Sequence, residues 1–389
     1  MSTTEINGSM TGRERYLNAL QGKPVDRICV GSPTSLATYE EMRRLGIEWP
    51  DAHYEAAPIA LLAERSYTEH GYDSIMPYFS IILGAAALGA DIEWGEDPWE
   101  FDKGTGKIIS GPRMPAVSPP NPWTTPDEIV IPDDFLKRRE TKAVIDSIKI
   151  LRERHPDAAV IGKVMGPWTL SYHMFGPQEF LINVILDPDY VHACLDRLMP
   201  ASIAFANAQI EAGADAICLA DHSTGDLVRA ETYRDFLMPV HQKITPQINS
   251  PVILHCCGKT LDRMQYIKDA GFEAFHFATE NDPHEAKAVV GDFKLVGNVS
   301  NFVTLLSGRP EDVAFEVEDI VSAGIDIIAP ECAVPPQVTN ANLMAVPAAA
   351  RGEFQGDPSV TDPRNMAHEY RVDVAKQSAA ASSGPALSL

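Results

Sequence analysis

The sequence predicts an α/β fold, a single (β/α)8 barrel of the TIM type with N-terminal helices and a proline-rich insertion. Eight short apolar runs follow one another along the chain, and helical patterns separate most of them. Strands that are apolar on both faces and joined by helices are typical of a parallel sheet, and eight of them favour a closed barrel. The length of 389 residues fits one such barrel with insertions. The runs cover residues 27–31, 74–78, 159–164, 215–221, 252–257, 274–278, 294–299 and 326–330.

The segments outside the runs divide the chain into a barrel and its appendages. Residues 91–134 are rich in Pro, Gly, Trp and acidic side chains without a clear period, which predicts an insertion packed over one end of the domain. The barrel is expected to cover residues 11–350, between a flexible N-terminus at 1–10 and a disordered tail at 351–389. Helical patterns are expected at residues 11–21, 36–45, 54–72, 141–154, 188–212, 230–248, 261–270, 283–290 and 310–323.

The charge balance excludes two classes of partner. The chain carries 32 basic and 54 acidic residues, a net charge of -22. A field of this sign repels phosphate backbones and anionic bilayers, so we expect neither a nucleic acid nor a membrane as partner. The N-terminus lacks the pattern of a signal peptide and no run is long enough to span a bilayer, which predicts a soluble, cytoplasmic protein. Six cysteines are too few for a disulfide scaffold in a chain of this length.

The fifth apolar run ends in residues that bind metals. It reads Pro-Val-Ile-Leu-His-Cys-Cys-Gly from residue 251 to 258, and strand alternation places His255 and Cys257 on one face. Cys332 follows the eighth run, and the C-terminal ends of barrel strands meet at one mouth. Three soft ligands with an open fourth position are the arrangement of catalytic zinc. The alternative is that these residues only end core strands.

A fourth ligand is not defined by spacing alone. Glu280, His276 and Glu331 each lie near the end of a predicted strand and can reach the same mouth. The pattern does not choose among them.

Other polar or aromatic residues also follow predicted strands. Asp221 and His222 end the fourth strand and form a candidate proton relay, although a strand-end aspartate more often caps a helix or orients a side chain. Asn298 ends the seventh strand, where it contacts a substrate or simply satisfies a turn. Trp168 follows the third strand, where it packs in the core or forms a wall for a flat ligand.

Several stretches together match a known family. The chain resembles the methylcobamide:coenzyme M methyltransferases of the uroporphyrinogen decarboxylase superfamily over about residues 11–350. Its most specific match is His255-x-Cys257-Gly258 followed by the later Cys332. The other matching stretches are residues 15–26, 76–78, 166–170, 206–215, 295–299 and Asn342-Leu343.

The resemblance implies a chemistry and assigns residues to it. It implies a Zn²⁺ site formed by His255, Cys257 and Cys332, and a methyl group that moves between a methylated corrinoid and a small acceptor such as the thiol of coenzyme M. A corrinoid-binding protein is the implied partner. On this basis the catalytic residues are expected to be the three ligands and Asp221. We expect the mouth to be lined by Tyr78, Trp168, Asp221 and Asn298.

Departures from the family pattern leave alternatives open. The decarboxylase branch carries an arginine in a glycine-rich segment after the first strand, whereas residues 31–38 here contain none. Relatives have Pro-Gly-Cys-Gly at the last ligand, where this chain has Pro-Glu-Cys-Ala. After the sixth strand, where relatives tend to place acidic residues, this chain has Phe-Ala-Thr-Glu at residues 277–280, so Glu280 is a candidate for a shifted acidic ligand. Besides a decarboxylase, the alternatives are methyl transfer from a methoxylated or methylated small molecule to a corrinoid protein, and a corrinoid-protein binding module without turnover.

Overall fold

The computed structural model describes residues 9–104 and 108–354. Eight parallel strands form one sheet in the order β1-β12-β11-β10-β9-β8-β7-β2, and two small antiparallel pairs lie outside it. The strands are β1 (Cys29–Val30), β2 (Ser74–Ile75), β3 (Ile92–Glu93), β4 (Glu100–Phe101), β5 (Ile108–Ser110), β6 (Ala116–Val117), β7 (Ala159–Met165), β8 (Ala216–Ala220), β9 (Val252–Cys256), β10 (Ala274–Phe277), β11 (Lys294–Val299) and β12 (Ile327–Pro330).

The edges of this sheet meet, so the eight strands form a nearly closed barrel. The backbone N–H of Asp73, just before β2, donates to the carbonyl of Val30 in β1 at 2.6 Å. The Asp73 carboxylate in turn accepts from the Val30 N–H at 3.0 Å. The predicted (β/α)8 barrel is confirmed, and every predicted barrel strand overlaps an observed one.

Helices cover the outside of the barrel. Side chains cap several of them at their first turn: Thr11 and Glu14 form a capping box on α1, and the Asp282 carboxylate accepts from two N–H groups of α14. The α-helices are α1 (Gly12–Leu20), α2 (Tyr39–Leu45), α3 (Asp51–Tyr54), α4 (Ala56–Ala63), α5 (Arg65–Thr68), α6 (Leu83–Leu88), α7 (Arg139–Arg154), α8 (Pro167–Phe175), α9 (Pro177–Leu186), α10 (Pro188–Glu211), α11 (Ala230–Thr232), α12 (Met238–Ile244), α13 (Met264–Lys268), α14 (Pro283–Val290), α15 (Pro310–Ser322) and α16 (Asn340–Ala350).

Some helices differ from the sequence prediction. The expected helix over 54–72 is divided among α3, α4 and α5, and helices α6, α8, α9 and α16 were not predicted. Wider π-type turns occupy Tyr233–Leu237 and Asn301–Leu306. Helices α8, α9 and α10 each begin with a proline, which is favoured at a first helical position.

The proline-rich insertion forms short local structure. Its strands pair as β3 with β6 and β4 with β5. Trp94 and Trp99 contact Tyr54 and Tyr39 edge to face, each at 5.0 Å between ring centroids, so the insertion packs on α2 and α3. The predicted N-terminal segment 1–10 and tail 351–389 fall almost wholly outside the described residues and stay predictions. In the part of the chain that the structure describes, we find no helix with the length and apolarity needed to cross a bilayer.

Candidate metal centre

Three side chains that bind soft metals converge at the C-terminal mouth of the barrel. The Cys257 Sγ lies 3.1 Å from His255 Nε2 and 3.0 Å from Cys332 Sγ. The remaining distance, from Cys332 Sγ to His255 Nε2, is 3.4 Å. Strands β9 and β12 therefore bring together residues that are 75 positions apart in sequence. We call His255, Cys257 and Cys332 the ligand cluster.

The strands and their turns position this cluster. His255 lies in β9 in register with Ala220 of β8 and His276 of β10, which places its imidazole on the inner face of the barrel. The chain turns directly after Cys257 because Gly258 adopts a φ of +77°. A β-carbon at residue 258 would lie 2.3 Å from the Thr224 hydroxyl, so this turn requires glycine.

The cluster fits a zinc ion by its donor set and its dimensions. Two thiols and one imidazole are the ligands that catalytic zinc uses when it keeps an open position. Tetrahedral ligands at normal zinc distances lie about 3.5–3.8 Å from one another, so each separation here needs to widen by less than about 1 Å. All six cysteines are free, and no cysteine in the described residues competes through a disulfide.

The two thiols of the cluster share a proton. The Cys257 S–H donates to Cys332 Sγ, which raises the pKa of Cys257 and lowers the pKa of Cys332. Burial opposes the loss of a proton from either thiol. One thiolate is thus already favoured, and binding of a metal would displace the remaining proton.

His276 links the two strands that carry the ligands. Its ring lies 4.6 Å from the His255 ring, and its Nε2 donates to the carbonyl of Pro330 at 2.7 Å. Burial holds the pKa of His276 well below its usual value, so the ring is neutral. His276, which the sequence analysis considered as a fourth ligand, therefore holds the backbone of Pro330, two residues before Cys332.

Glu331 points its carboxylate into the loops around the cluster. Its two oxygens accept from the backbone N–H of Thr279 at 2.9 Å and of Asn301 at 2.7 Å. Burial raises the pKa of Glu331 even though these bonds lower it. The glutamate beside Cys332 thus ties together the loops after β10, β11 and β12.

A third support, Asn281, was not predicted. Its side-chain oxygen accepts from the N–H of Thr260 at 2.7 Å and of Leu261 at 2.8 Å. Its amide nitrogen donates to the carbonyl of Gly258 at 2.9 Å. The sequence signal for this role is an asparagine in the loop after a predicted strand, and the structure shows that this asparagine is buried.

Asp221 lies behind the barrel wall. Its carboxylate accepts from the Thr169 N–H at 2.7 Å, in the first turn of α8, and contacts His241 Nε2 at 3.0 Å. His241 Nδ1 lies 3.0 Å from the Tyr233 hydroxyl. A β-carbon at Gly166 would lie 2.3 Å from this carboxylate. The geometry favours the capping and orienting alternative, and a catalytic role of Asp221 stays a prediction.

The other predicted lining residues are buried. Trp168 is fully buried, with its ring 4.9 Å from Phe180 of α9, and Tyr78 contacts Phe205 of α10 at 6.3 Å between ring centroids. Both rings thus pack against the helical layer. Asn298 donates to the carbonyl of Asn281 at 3.1 Å, as a turn amide does. Their contact with a ligand stays a prediction.

Glu280 does not join the ligand cluster. The groups whose ligand atoms converge within 4.8 Å of one another in the described residues are His255, Cys257 and Cys332. Glu280 is exposed on the loop after β10. The proposed shift of an acidic ligand to this residue also stays a prediction.

A buried lysine lies in the wall below the cluster. Lys163, in the middle of β7, is 3% exposed and pairs in register with Cys218 of β8. The sequence analysis found no cationic group for an anionic substrate. The signal was present, because a charged residue inside an otherwise apolar strand is unusual.

The family is shown by a match over most of the chain. The family model described as uroporphyrinogen decarboxylase (URO-D) matches residues 11–352. The chain belongs to this family. Within it, the chain is 35% identical over 349 residues to the methylcobamide:CoM methyltransferase MtaA of Methanosarcina barkeri, covering 88% of this chain and 98% of the relative. A methylated-thiol–coenzyme M methyltransferase of Methanosarcina mazei is 29% identical over 344 residues, covering 88% of this chain and 89% of the relative.

One more relative and a solved structure are also similar to the chain. The uroporphyrinogen decarboxylase of Rhodococcus opacus is 27% identical over 223 residues, which cover 56% of this chain and 57% of the relative. A solved methyltransferase from Methanosarcina mazei superposes with a TM-score of 0.81 at 32% identity, covering 89% of this chain and 99% of the other. These similarities confirm both the predicted resemblance and the prediction that the chain is a methyltransferase.

Proposed function

We propose that the protein is a zinc-dependent, corrinoid-linked methyltransferase. It transfers a methyl group from a methylated corrinoid, carried by a corrinoid-binding protein, to a small acceptor thiol of the coenzyme M type. The ligand cluster carries this proposal, since its three ligand atoms lie within 3.4 Å of one another at the barrel mouth. The similarity to MtaA supports the choice of donor and acceptor.

The chemistry needs an anionic sulfur at the mouth. A zinc ion in the cluster would supply a Lewis acid that keeps the acceptor sulfur deprotonated near neutral pH. The sulfur forms a bond to the methyl carbon while the cobalt–carbon bond breaks. The electron pair of the cobalt–carbon bond remains on cobalt, which passes from Co(III) to Co(I). The proton of the acceptor thiol is released to solvent. The products are a thioether, whose sulfur is uncharged, and a reduced corrinoid.

The protein holds the metal ligands in position and leaves the cluster accessible from the mouth. His276 and Glu331 hold the two ligand-bearing segments at a fixed separation, so that the cluster is formed before the acceptor arrives. The cluster lies where the strands end, open to the side from which a large corrinoid approaches. Six free cysteines are consistent with a reducing compartment, and we propose the cytoplasm as the location.

Methyl transfer can be tested with free methylcobalamin as donor. Zinc-loaded protein is mixed with methylcobalamin and a thiol, and cobalt reduction is followed by absorbance under anaerobic conditions. We expect methyl thioether and reduced cobalamin in equal amounts, and a rate near background for Cys257→Ala. An unchanged rate in that variant would contradict the proposal.

Other assays separate the alternative functions. A decarboxylase without a metal requirement would keep full decarboxylation of uroporphyrinogen in Cys257→Ala. The absence of arginine at residues 31–38 after β1 disfavours this alternative. A binding module would retain a corrinoid protein in pull-down experiments without turning over any thiol. Transfer in the opposite direction would convert a methylated small molecule and Co(I) into methylcobalamin.

A further inference from the structure

Lys163 points into the barrel interior. Neighbouring residues of a strand face opposite sides, and a β-carbon on Gly162 would lie 2.8 Å from the Gln209 side chain of α10, outside the barrel. The same Gln209 fixes this part of β7, since it accepts from the Lys163 N–H and donates to the Lys163 carbonyl, each at 2.9 Å. The ammonium group therefore extends across the lumen from a rigid backbone.

The ammonium lies at the floor of the candidate metal centre. Strand register pairs Lys163 with Cys218, and two residues later pairs Met165 with Ala220, which is in register with His255. Lys163 is thus one layer below the ligand cluster.

This charge has no carboxylate partner. Lys163 is 3% exposed, and no ion pair joins it to a carboxylate of the described residues. A zinc ion with two thiolates and a neutral imidazole has no net charge, so an occupied cluster would not balance the lysine. A buried cation without an anion is strongly unfavourable, which indicates that a bound ligand supplies the anion.

We propose that Lys163 binds the acid group of the methyl acceptor and so selects a thiol that carries a carboxylate or sulfonate. This inference rests on the proposed function and names its substrate class. The corrinoid is too wide to enter the barrel and must reach the sulfur from the mouth. The rest of the acceptor then lies on the inner side, toward Lys163. A protein with a net charge of -22 needs such a local cation to hold an anionic small molecule.

The test compares two thiols that differ in one charge. Binding of 3-mercaptopropionate and of its methyl ester to the zinc-loaded protein is measured by calorimetry without any corrinoid. We expect the acid to bind about tenfold or more tighter than the ester, because an ion pair inside the barrel contributes more than a neutral contact. In Lys163→Met the ratio of the affinities for the acid and the ester falls to about one, and in Lys163→Arg most of this preference remains.

A second variant and a second measurement control for folding. Lys149→Met removes an exposed lysine of α7 and should keep the wild-type ratio. Thermal unfolding and zinc content of Lys163→Met should match the wild type or exceed it in stability, because an unpaired buried charge is lost. Equal weakening of both thiols in Lys163→Met, an unchanged ratio, or no preference in the wild type would overturn the inference.

The proposed function and the proposed role of Lys163 can be contradicted independently of each other. Preference for the acid without any methyl transfer would contradict the proposed function and support the role of Lys163. Methyl transfer with equal affinity for acid and ester would support the proposed function and overturn the role of Lys163.

Discussion

The two ends of the barrel use charged side chains in opposite ways. At the N-terminal end, acidic residues directly before a strand accept N–H bonds from the neighbouring strand. The Asp73 carboxylate accepts from Val30 at 3.0 Å, and the Asp215 carboxylate accepts from Val160 at 2.9 Å. The same arrangement recurs with Glu273 and Val252 at 2.7 Å and with Asp326 and Leu295 at 3.0 Å.

Arginines complete the network at this end. Arg15 and Arg27 both pair with Asp73, and Arg13 and Arg152 both pair with Asp215. At the C-terminal mouth the ligand cluster consists of two thiols and one imidazole, and Lys163 below it has no carboxylate partner among the described residues. Within the described residues, the buried atoms there that lack a partner include His255 Nδ1, His276 Nδ1 and Asn298 Oδ1.

The contrast separates stability from function. A satisfied network at the N-terminal end of a barrel stabilises the fold, whereas groups at the C-terminal mouth remain available for ligands. Substitutions at the mouth should therefore abolish activity with little effect on folding, and substitutions at the other end should do the reverse.

The largest effect is expected for Cys257→Ala. Loss of one of three ligands should abolish stoichiometric zinc and lower methyl transfer at least about a hundredfold, since an open site depends on every ligand. Cys256→Ala is the matched control, because the neighbouring thiol faces the other side of β9, where it accepts from the Ser223 N–H and donates to the Cys257 carbonyl. Metal analysis and the cobalamin assay should separate the two variants, and equal zinc loss in both would contradict the assignment.

Arg15→Met should damage the opposite end. Arg15 is 3% exposed and pairs with Asp26 and Asp73, so its removal breaks two ion pairs and leaves the buried Asp73 with Arg27 alone. We expect the free energy of unfolding to fall by about 3–5 kcal/mol in urea titrations, with zinc content per folded molecule unchanged.

The control for Arg15 is an exposed ion pair. Arg113→Met removes a partner of Asp97 on the insertion, where both side chains are exposed, and should cost less than about 1 kcal/mol. Comparable destabilisation by the two arginine variants would remove the distinction between the ends of the barrel.

His276→Phe should weaken the metal centre without removing a ligand. The variant keeps a ring beside His255 but loses the bond to the Pro330 carbonyl. We expect zinc affinity to fall about 10–100-fold in competition with a chelator, as for other residues that orient metal ligands. His173→Phe replaces a buried histidine of α8 and should keep wild-type affinity. Retention of full affinity by His276→Phe would show that the bond is not needed.

The smallest effect concerns acid stability at the N-terminal end. Hydrogen bonds from Arg15 lower the pKa of Asp26 from 3.8 to about 2. Because this pKa is lowered in the folded state, its stabilising contribution is present above pH 3.8 and is lost as the pH falls through 2. Asp26→Asn should flatten the decrease in unfolding free energy across this window. Urea titrations at several pH values test this, and an unchanged slope would contradict it.

The sequence predicted the structure where a regular pattern of apolar or alternating residues determines it. Apolar runs predicted the barrel strands because strands buried on both faces tolerate few polar residues, and strand parity placed His255 and Cys257 together. Position after a strand did not predict where a side chain points, because loop geometry depends on packing. Trp168 thus turned into the helical layer, and Asp221 turned to cap α8.

Supporting residues were harder to find than ligands. His276 was considered only as a ligand, because nothing local indicates that its ring reaches the carbonyl of Pro330 on a strand two places away in the sheet. Lys163 was overlooked within an apolar run. Both roles depend on the radius of the closed barrel, which no single strand specifies.

Zinc-edge X-ray absorption of the purified wild-type protein tests the central claim most directly. The account predicts about one zinc per chain, with two sulfur donors and one imidazole nitrogen donor from the protein. Protein that folds with no stoichiometric zinc, or zinc bound without sulfur, would contradict it.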